Sequence, residues 1–118
     1  MLDSDINTLQ KIDATLQIIP NPIKDGACMQ ERDLIANELL ENEEMIPKGM
    51  EIFSCDYESH HDPHHWIEIV LGNGEKYIWD RTNQKIQQHF LPMLEAQIVW
   101  SHYASPSNRF RIIPVVNE

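Results

Sequence analysis

Apolar residues recur at helical spacing near the start of the chain. They stand three or four positions apart, at Ile6, Leu9, Ile12, Leu16 and Ile19. An acidic or hydroxyl side chain at positions 3–5 can cap the first turn, and the Pro-Asn-Pro sequence at 20–22 ends the pattern. This spacing predicts an amphipathic helix that buries one stripe of its surface.

A second helical pattern follows this break. Asp25 can cap a helix that begins near Gly26, and the polar run at 41–44 with Pro47 closes it. Steps of seven and four positions return to one side of a helix. The residues on that side are Cys28, Ile35 and Leu39. The second helix is therefore also expected to be amphipathic, with a cysteine in its first turn.

Beyond this point the period changes from helical to alternating. The alternation predicts a strand over Met50–Asp56 and a stronger one over His64–Leu71. Gly72-Asn73-Gly74 predicts a tight hairpin, and the return strand runs over Tyr77–Asp80. A polar corner at 81–84 then leaves the sheet.

Two later segments also have strand character. They are Ala96–Trp100 and Arg109–Val116, and Pro114 favours a sheet edge for the last one because proline cannot donate to a ladder. Two helices followed by such strands predict an α+β fold, with N-terminal helices packed on an antiparallel sheet. At 118 residues, the chain is expected to form a single domain over 1–118.

Composition narrows the class of protein. Apolar residues make up 42% of the chain, which is enough to build a core. The net charge of −10 repels nucleic-acid phosphate and anionic membranes. No stretch approaches the roughly 18 apolar residues of a membrane span, and the N-terminus carries no basic leader. We therefore expect no nucleic-acid or membrane partner, and a location in the cytoplasm or export without a cleavable signal peptide.

The two cysteines, Cys28 and Cys55, are too few for a disulfide framework and indicate a reducing compartment. At the start of a helix, unpaired backbone amides and the helix dipole favour a thiolate. Cys28 is therefore a candidate nucleophile. The alternative is a small buried residue on the core face of the helix, which free cysteines often are.

Four of the six histidines lie within His60–His65. Zinc accepts cysteine and histidine ligands, so one possible site would use Cys55, His60, His61 and His64. Structural zinc usually takes its ligands in two spaced pairs, and no second cysteine pair is present. We therefore expect no metal and no cofactor, and solvated loop histidines are the alternative for His60 and His61.

His64 and His65 open the stronger predicted strand, where strand parity sends them to opposite faces. The hairpin returns the chain so that Asp80 comes level with this pair. A carboxylate there can hydrogen-bond an imidazole, fix its tautomer and stabilise the imidazolium. Cys28, one histidine and Asp80 then form a set of nucleophile, base and orienting acid.

Three segments carry a family resemblance. They are Gly26-Ala27-Cys28, His64-His65-Trp66-Ile67-Glu68-Ile69 and Tyr77-Ile78-Trp79-Asp80-Arg81-Thr82. They resemble the core of the transglutaminase-like and papain-like cysteine enzymes, which have a cysteine at a helix N-terminus, then H-x-W-x-E on a strand, then D-x-T after the next strand. The resemblance covers roughly half of the chain. Its short spacings suit compact bacterial members, among them effector and toxin domains that deamidate glutamine on host proteins.

Carried onto this sequence, the resemblance makes Cys28 the nucleophile, His64 the general base and Asp80 the orienting acid. His65 stays an alternative base, because some papain-like toxin domains have a shorter spacing from histidine to acid. The supporting motif residues would be Trp66, Glu68 and Thr82.

Two further residues are expected on the substrate side. No glutamine stands shortly before Cys28, as it does in papain-type proteases. The oxyanion donors would then be the Cys28 amide and a group from 21–25, among which Asn21 is the candidate. Trp66 is expected to line a substrate cleft, although aromatic residues on strands also form cores.

The resemblance implies a cysteine-dependent amide hydrolase or acyl transferase that acts on a protein or peptide. With water and a glutamine side chain the reaction is deamidation, with a lysine amine it is transglutamination, and with a peptide bond it is papain-like proteolysis. Deamidation is favoured because the chain is too short for a long protease-type cleft. The alternative is a non-catalytic protein- or metal-binding module on the same fold.

Overall fold

An antiparallel sheet forms the centre of the molecule. In the computed structural model, the structure describes residues 7–12, 14, 28–60, 63–80, 82 and 90–114. The strands within these ranges are β1 (Glu51–Tyr57), β2 (His64–Val70), β3 (Lys76–Trp79), β4 (Phe90–Pro92) and β5 (Asn108–Ile113). Their order is β4-β3-β2-β1-β5, and every neighbouring pair is antiparallel.

Helices cover both faces of the sheet. They are α1 (residues 7–12 and 14), α2 (Cys28–Glu41) and α3 (Met93–Val99), with short 3-10 helices at Glu43–Met45 and Ser101–Ala104. Within the described ranges, none of these helices combines the length and apolarity needed to cross a bilayer.

Strand parity divides the buried residues into two cores. The first core lies under α1 and α2 and includes Leu9, Ile12, Ile35, Leu39, Ile67, Ile69 and Trp79. The second core lies under α3 and the 3-10 helix Ser101–Ala104 and consists of Cys55, Trp66, Ile78, Ala96 and Tyr103. Because side chains alternate along β2, His64 faces the second core and His65 faces the first.

Most predicted elements are confirmed. The α+β class, the antiparallel sheet, the second helix and the first three strands are present, with boundaries shifted by one or two residues. β5 lies at a sheet edge, as Pro114 indicated. For the first helix, Leu9 and Ile12 are buried as expected. The predicted caps at 3–5 and Asp25, the helix start at Gly26 and the break at 20–22 lie outside the described residues.

The prediction of a strand over Ala96–Trp100 is wrong. Residues 96–99 belong to α3, Trp100 follows the helix, and Ile98 is 83% exposed. The β-branched pair Ile98-Val99 favours a strand, but the preceding residues are good helix formers. Ala96 is fully buried in the second core, and its small side chain lets the helix approach the sheet closely. A helix therefore covers the face that the sequence pattern left open.

Candidate active site

His64 and Asp80 meet at one end of the sheet. β2 begins at His64, and β3 ends at Trp79, which pairs with Ile67. The residue after Trp79 therefore comes alongside the start of β2 and faces the same side as His64. His64 Nε2 lies 2.5 Å from Asp80 Oδ2. The expected contact between His64 and Asp80 is present.

Asp80 is 4% exposed and is held by donors on both carboxylate oxygens. The backbone N–H and the hydroxyl of Thr82 donate to Oδ1 at 2.9 and 3.0 Å. The Tyr103 hydroxyl donates to Oδ2 at 2.6 Å, beside His64. Burial by itself raises the pKa of Asp80, but the hydrogen bonds from His64, Tyr103 and Thr82 outweigh it and lower the pKa.

The ionisation of Asp80 fixes the tautomer of His64. An ionised carboxylate can only accept hydrogen bonds, so Nε2 of His64 carries the proton that points to Oδ2. In the neutral ring, Nδ1 then has the free lone pair. His64 is therefore oriented as a base through Nδ1.

Aromatic rings surround the His64 side chain. Trp66 is stacked at 6.0 Å between ring centroids, Trp100 is edge-on at 5.3 Å, and Tyr103 lies at 6.3 Å. Trp66 is only 1% exposed and belongs to the second core, so the expectation that it lines a substrate cleft is not met. Trp100 is partly exposed and is the ring that solvent reaches beside His64.

Cys28 is the first residue of α2 and lies against the start of β2. Its Sγ is 4.0 Å from the carbonyl oxygen of Pro63, the residue before His64. The backbone N–H of His65 acts on the sulfur and lowers its pKa, whereas the charge of Asp80 raises that pKa. The structure therefore places the cysteine at the same end of the sheet as the His64–Asp80 pair.

The thiol of Cys28 is not a preformed thiolate. Burial raises its pKa, and the Asp80 charge raises it further. The backbone amides of His65, Met29 and Cys28 favour the thiolate but do not compensate. The expectation that the helix N-terminus alone would lower this pKa is wrong, because desolvation is the larger effect.

His65 is bonded on the other face of β2. Its Nδ1 lies 2.6 Å from Asp56 Oδ1, and Arg32 on α2 donates to the same oxygen. Burial opposes ionisation of Asp56, but His65 and Arg32 lower its pKa. Asp56 thus already has a cationic partner, whereas the other donors that the structure describes on Asp80 are neutral. Asp80 is therefore the carboxylate better placed to compensate an imidazolium.

The described residues of the zinc alternative, Cys55, His60 and His64, are not arranged to hold a metal ion together. Cys55 is fully buried in the second core, and burial with the nearby Glu68 charge raises its pKa to about 12. His60 is exposed, and His61 lies outside the described residues. Among the residues that the structure describes, no group of three His, Cys, Asp or Glu side chains is arranged to hold a metal ion.

Other site residues have roles that the sequence indicated only in part. Thr82 fixes Asp80, in keeping with its place in the D-x-T motif. Glu68 is buried and ion-paired with Arg109 and Lys76, which makes it a structural residue of the second core face. Tyr103 was missed, because nothing in its local pattern points to Asp80. Asn21 lies outside the described residues.

Comparison with known proteins adds no relative. A scan against protein-family models, a search of curated proteins and a search of solved structures each found no match to this chain. The site must therefore be interpreted from its own chemistry.

Proposed function

We propose that the protein is a cysteine-dependent amide hydrolase in which Cys28 is the nucleophile, His64 the base and Asp80 the orienting acid. The observation that carries this proposal is the hydrogen bond between His64 and the buried Asp80, at the end of the sheet where Cys28 begins its helix. The proposal includes a transglutaminase-like or papain-like core, because cysteine, histidine and acid follow in that superfamily's order on a helix and two strands.

The raised pKa of Cys28 sets the order of the proton transfers. The resting thiol of Cys28 therefore keeps its proton. As the sulfur attacks the carboxamide carbon, Nδ1 of His64 takes the thiol proton, and Asp80 stabilises the imidazolium. His64 then gives the proton to the leaving nitrogen, so ammonia departs and a thioester remains. Water, deprotonated by the same nitrogen, cleaves the thioester to a carboxylic acid and restores the thiol.

The first turn of α2 supplies donors for the oxyanion. The backbone N–H groups of Cys28 and Met29 lie beside the sulfur, and the first N–H groups of a helix have no intrahelical acceptor. A carbonyl oxygen bound to a carbon that the sulfur attacks comes within their reach. Asn21 stays a candidate for a further donor.

Protein glutamine is the proposed substrate. The partly exposed Trp100 beside His64 offers an apolar contact for the aliphatic part of a single glutamine side chain. The net charge of −10 favours a basic protein as partner. Transglutamination and papain-like proteolysis use the same three residues and are tested as alternative outcomes.

The test measures ammonia release from glutamine-containing peptides and denatured casein. The same reactions measure incorporation of a fluorescent amine and peptide cleavage, which identify the acyl acceptor and the bond broken. We expect Cys28→Ala and His64→Ala to abolish the reaction. The matched controls Cys55→Ala and His60→Ala, which change a buried cysteine and an exposed histidine outside the site, should retain it. Absence of any Cys28-dependent reaction on these substrates would refute the proposal.

One observation favours a second candidate, a non-catalytic protein-binding module. The raised pKa of Cys28 is also what an inert, structural cysteine would have. Alkylation separates the two, since a nucleophile must be reached by solvent. If Cys28 in the folded protein reacts no faster than the fully buried Cys55, the binding module is the better interpretation.

A further inference from the structure

A second histidine–acid pair links the cysteine helix to the sheet. His65 Nδ1–H donates to Asp56 Oδ1 at 2.6 Å. Arg32 Nη1 donates to the same oxygen and, at 3.4 Å, to the carbonyl oxygen of Cys55. The side chains of Arg32, Asp56 and His65 are 11, 18 and 19% exposed. They are therefore more sheltered from solvent than a surface ion pair. Surface ion pairs contribute little to folding stability.

These hydrogen bonds lie in the turn of α2 next to Cys28 and at the start of β2. Arg32 stands four positions after Cys28, one turn further along the same side of α2. From Arg32 the hydrogen bonds lead to Asp56 on β1 and then to His65 on β2. The Cys28 sulfur lies 4.0 Å from the carbonyl oxygen of Pro63, just before β2, and the backbone N–H of His65 lowers the pKa of the thiol. One network thus joins α2 and two strands at the atom that the proposed mechanism uses.

The apolar contacts of α2 cannot fix the sulfur by themselves. Ile35 and Leu39, which bury α2 against the sheet, stand two and three turns after Cys28. Hydrophobic burial is non-directional, so it holds the helix down without setting its position along the strand. The hydrogen bonds of Arg32 have direction and act in the turn next to Cys28.

We infer that Arg32, Asp56 and His65 are positioning residues that hold the Cys28 sulfur against the start of β2, and that His65 is not the base. This inference rests on the proposed role of Cys28 as nucleophile. His64 and His65 each donate one ring N–H to a carboxylate, but the charge of Asp56 is shared with Arg32, so Asp56 stabilises an imidazolium less than Asp80 does. A shift of the sulfur by about 1 Å would be enough to slow the reaction on the order of a hundredfold.

The test compares two properties of Cys28 in the full chain. One is the rate of its alkylation by iodoacetamide, followed by peptide mass spectrometry, which needs no substrate. The other is kcat for ammonia release. In Arg32→Leu and His65→Leu the sulfur loses its anchor and becomes more accessible. We expect alkylation to rise about tenfold while kcat falls by a similar or larger factor and KM changes little.

Two variants serve as controls. His65→Asn keeps an N–H at the position of Nδ1 but cannot act as a base, so we expect it to restore both rates to within about twofold of wild type. Arg111→Leu removes an exposed arginine that pairs with Glu51 at 3.4 Å near the other end of β1, and it should change neither rate.

Either of two results would overturn the inference. Unchanged alkylation in folded Arg32→Leu would show that the network does not place the sulfur. Loss of ammonia release in His65→Asn, with normal alkylation, would make His65 the base. Because alkylation is measured without substrate, a wild type with no Cys28-dependent reaction would refute the proposed function and still leave the positioning role tested.

Discussion

Asp80→Asn should move two properties of Cys28 in opposite directions. The substitution keeps the shape of the side chain and removes its charge. Since the Asp80 charge raises the pKa of Cys28, its loss should increase the thiolate fraction and speed alkylation at pH 7. Catalysis should fall, because the amide offers an N–H group to His64 and favours the tautomer that carries its proton on Nδ1. That tautomer cannot accept the thiol proton.

The contacts of Asp80 set how much stability and how much activity the Asp80→Asn variant should lose. The carboxylate accepts hydrogen bonds from His64, Tyr103 and two donors of Thr82. The two bonds to Oδ2 are the ones that an amide nitrogen would disrupt, and each charge-assisted bond contributes about 1.5–3 kcal/mol. We expect the free energy of unfolding to fall by roughly 2–4 kcal/mol and Tm by roughly 10 °C. An inverted tautomer lowers kcat by roughly two to four orders of magnitude.

Three measurements check this prediction on folded protein below its Tm. They are the alkylation rate of Cys28, ammonia release, and long-range proton–nitrogen NMR spectra that report which nitrogen of His64 is protonated. If alkylation slows together with ammonia release, the resting site is a thiolate–imidazolium pair that Asp80 supports. The neutral resting thiol that the raised pKa of Cys28 indicates would then be refuted.

Three further outcomes follow from the same contacts. Tyr103→Phe removes one donor from buried Asp80 without creating a cavity, and thermal melting should show a loss of about 1–3 kcal/mol; an unchanged Tm would contradict the hydrogen bond. The pKa values of Asp80 and Asp56 are lowered in the folded state, so their stabilisation is complete above their unfolded pKa of about 4. It is lost as the pH falls through the folded values, and urea unfolding between pH 2 and 6 should show this decline, with a shallower slope in Asp80→Asn. With a pKa of about 12, Cys55 has a thiolate fraction on the order of 10⁻⁴ at pH 8, so the less buried Cys28 should alkylate faster; equal rates would contradict the difference in burial.

The contact between His64 and Asp80 could be predicted from sequence because it depends on local pairing. A hairpin of known length joins β2 to β3, so its register fixes which residues come level. Parity then decides that successive histidines face opposite sides. Both steps need only the alternation of one short segment.

The position of Tyr103 could not be predicted in this way. It reaches Asp80 from 23 residues further along the chain, in a 3-10 helix that follows α3. The pattern before it favoured a strand at Ala96–Trp100, which would have extended the sheet instead of covering it. The role of Arg32 was hidden for a similar reason, because a helix face predicts burial but not which strand residue an arginine meets.

Two buried acids on one face of the sheet differ in their partners, and this difference favours a structural role for one and a chemical role for the other. Glu68 and Asp80 are both 4% exposed. Glu68 is paired with Arg109 and Lys76, the usual arrangement for a buried charge. The partners that the structure describes for Asp80 are Thr82, Tyr103 and His64, and none of these three is a permanent cation. A carboxylate that hydrogen bonds keep ionised in a buried position attracts a positive charge placed beside it, and protonation of His64 during the proposed reaction supplies that charge.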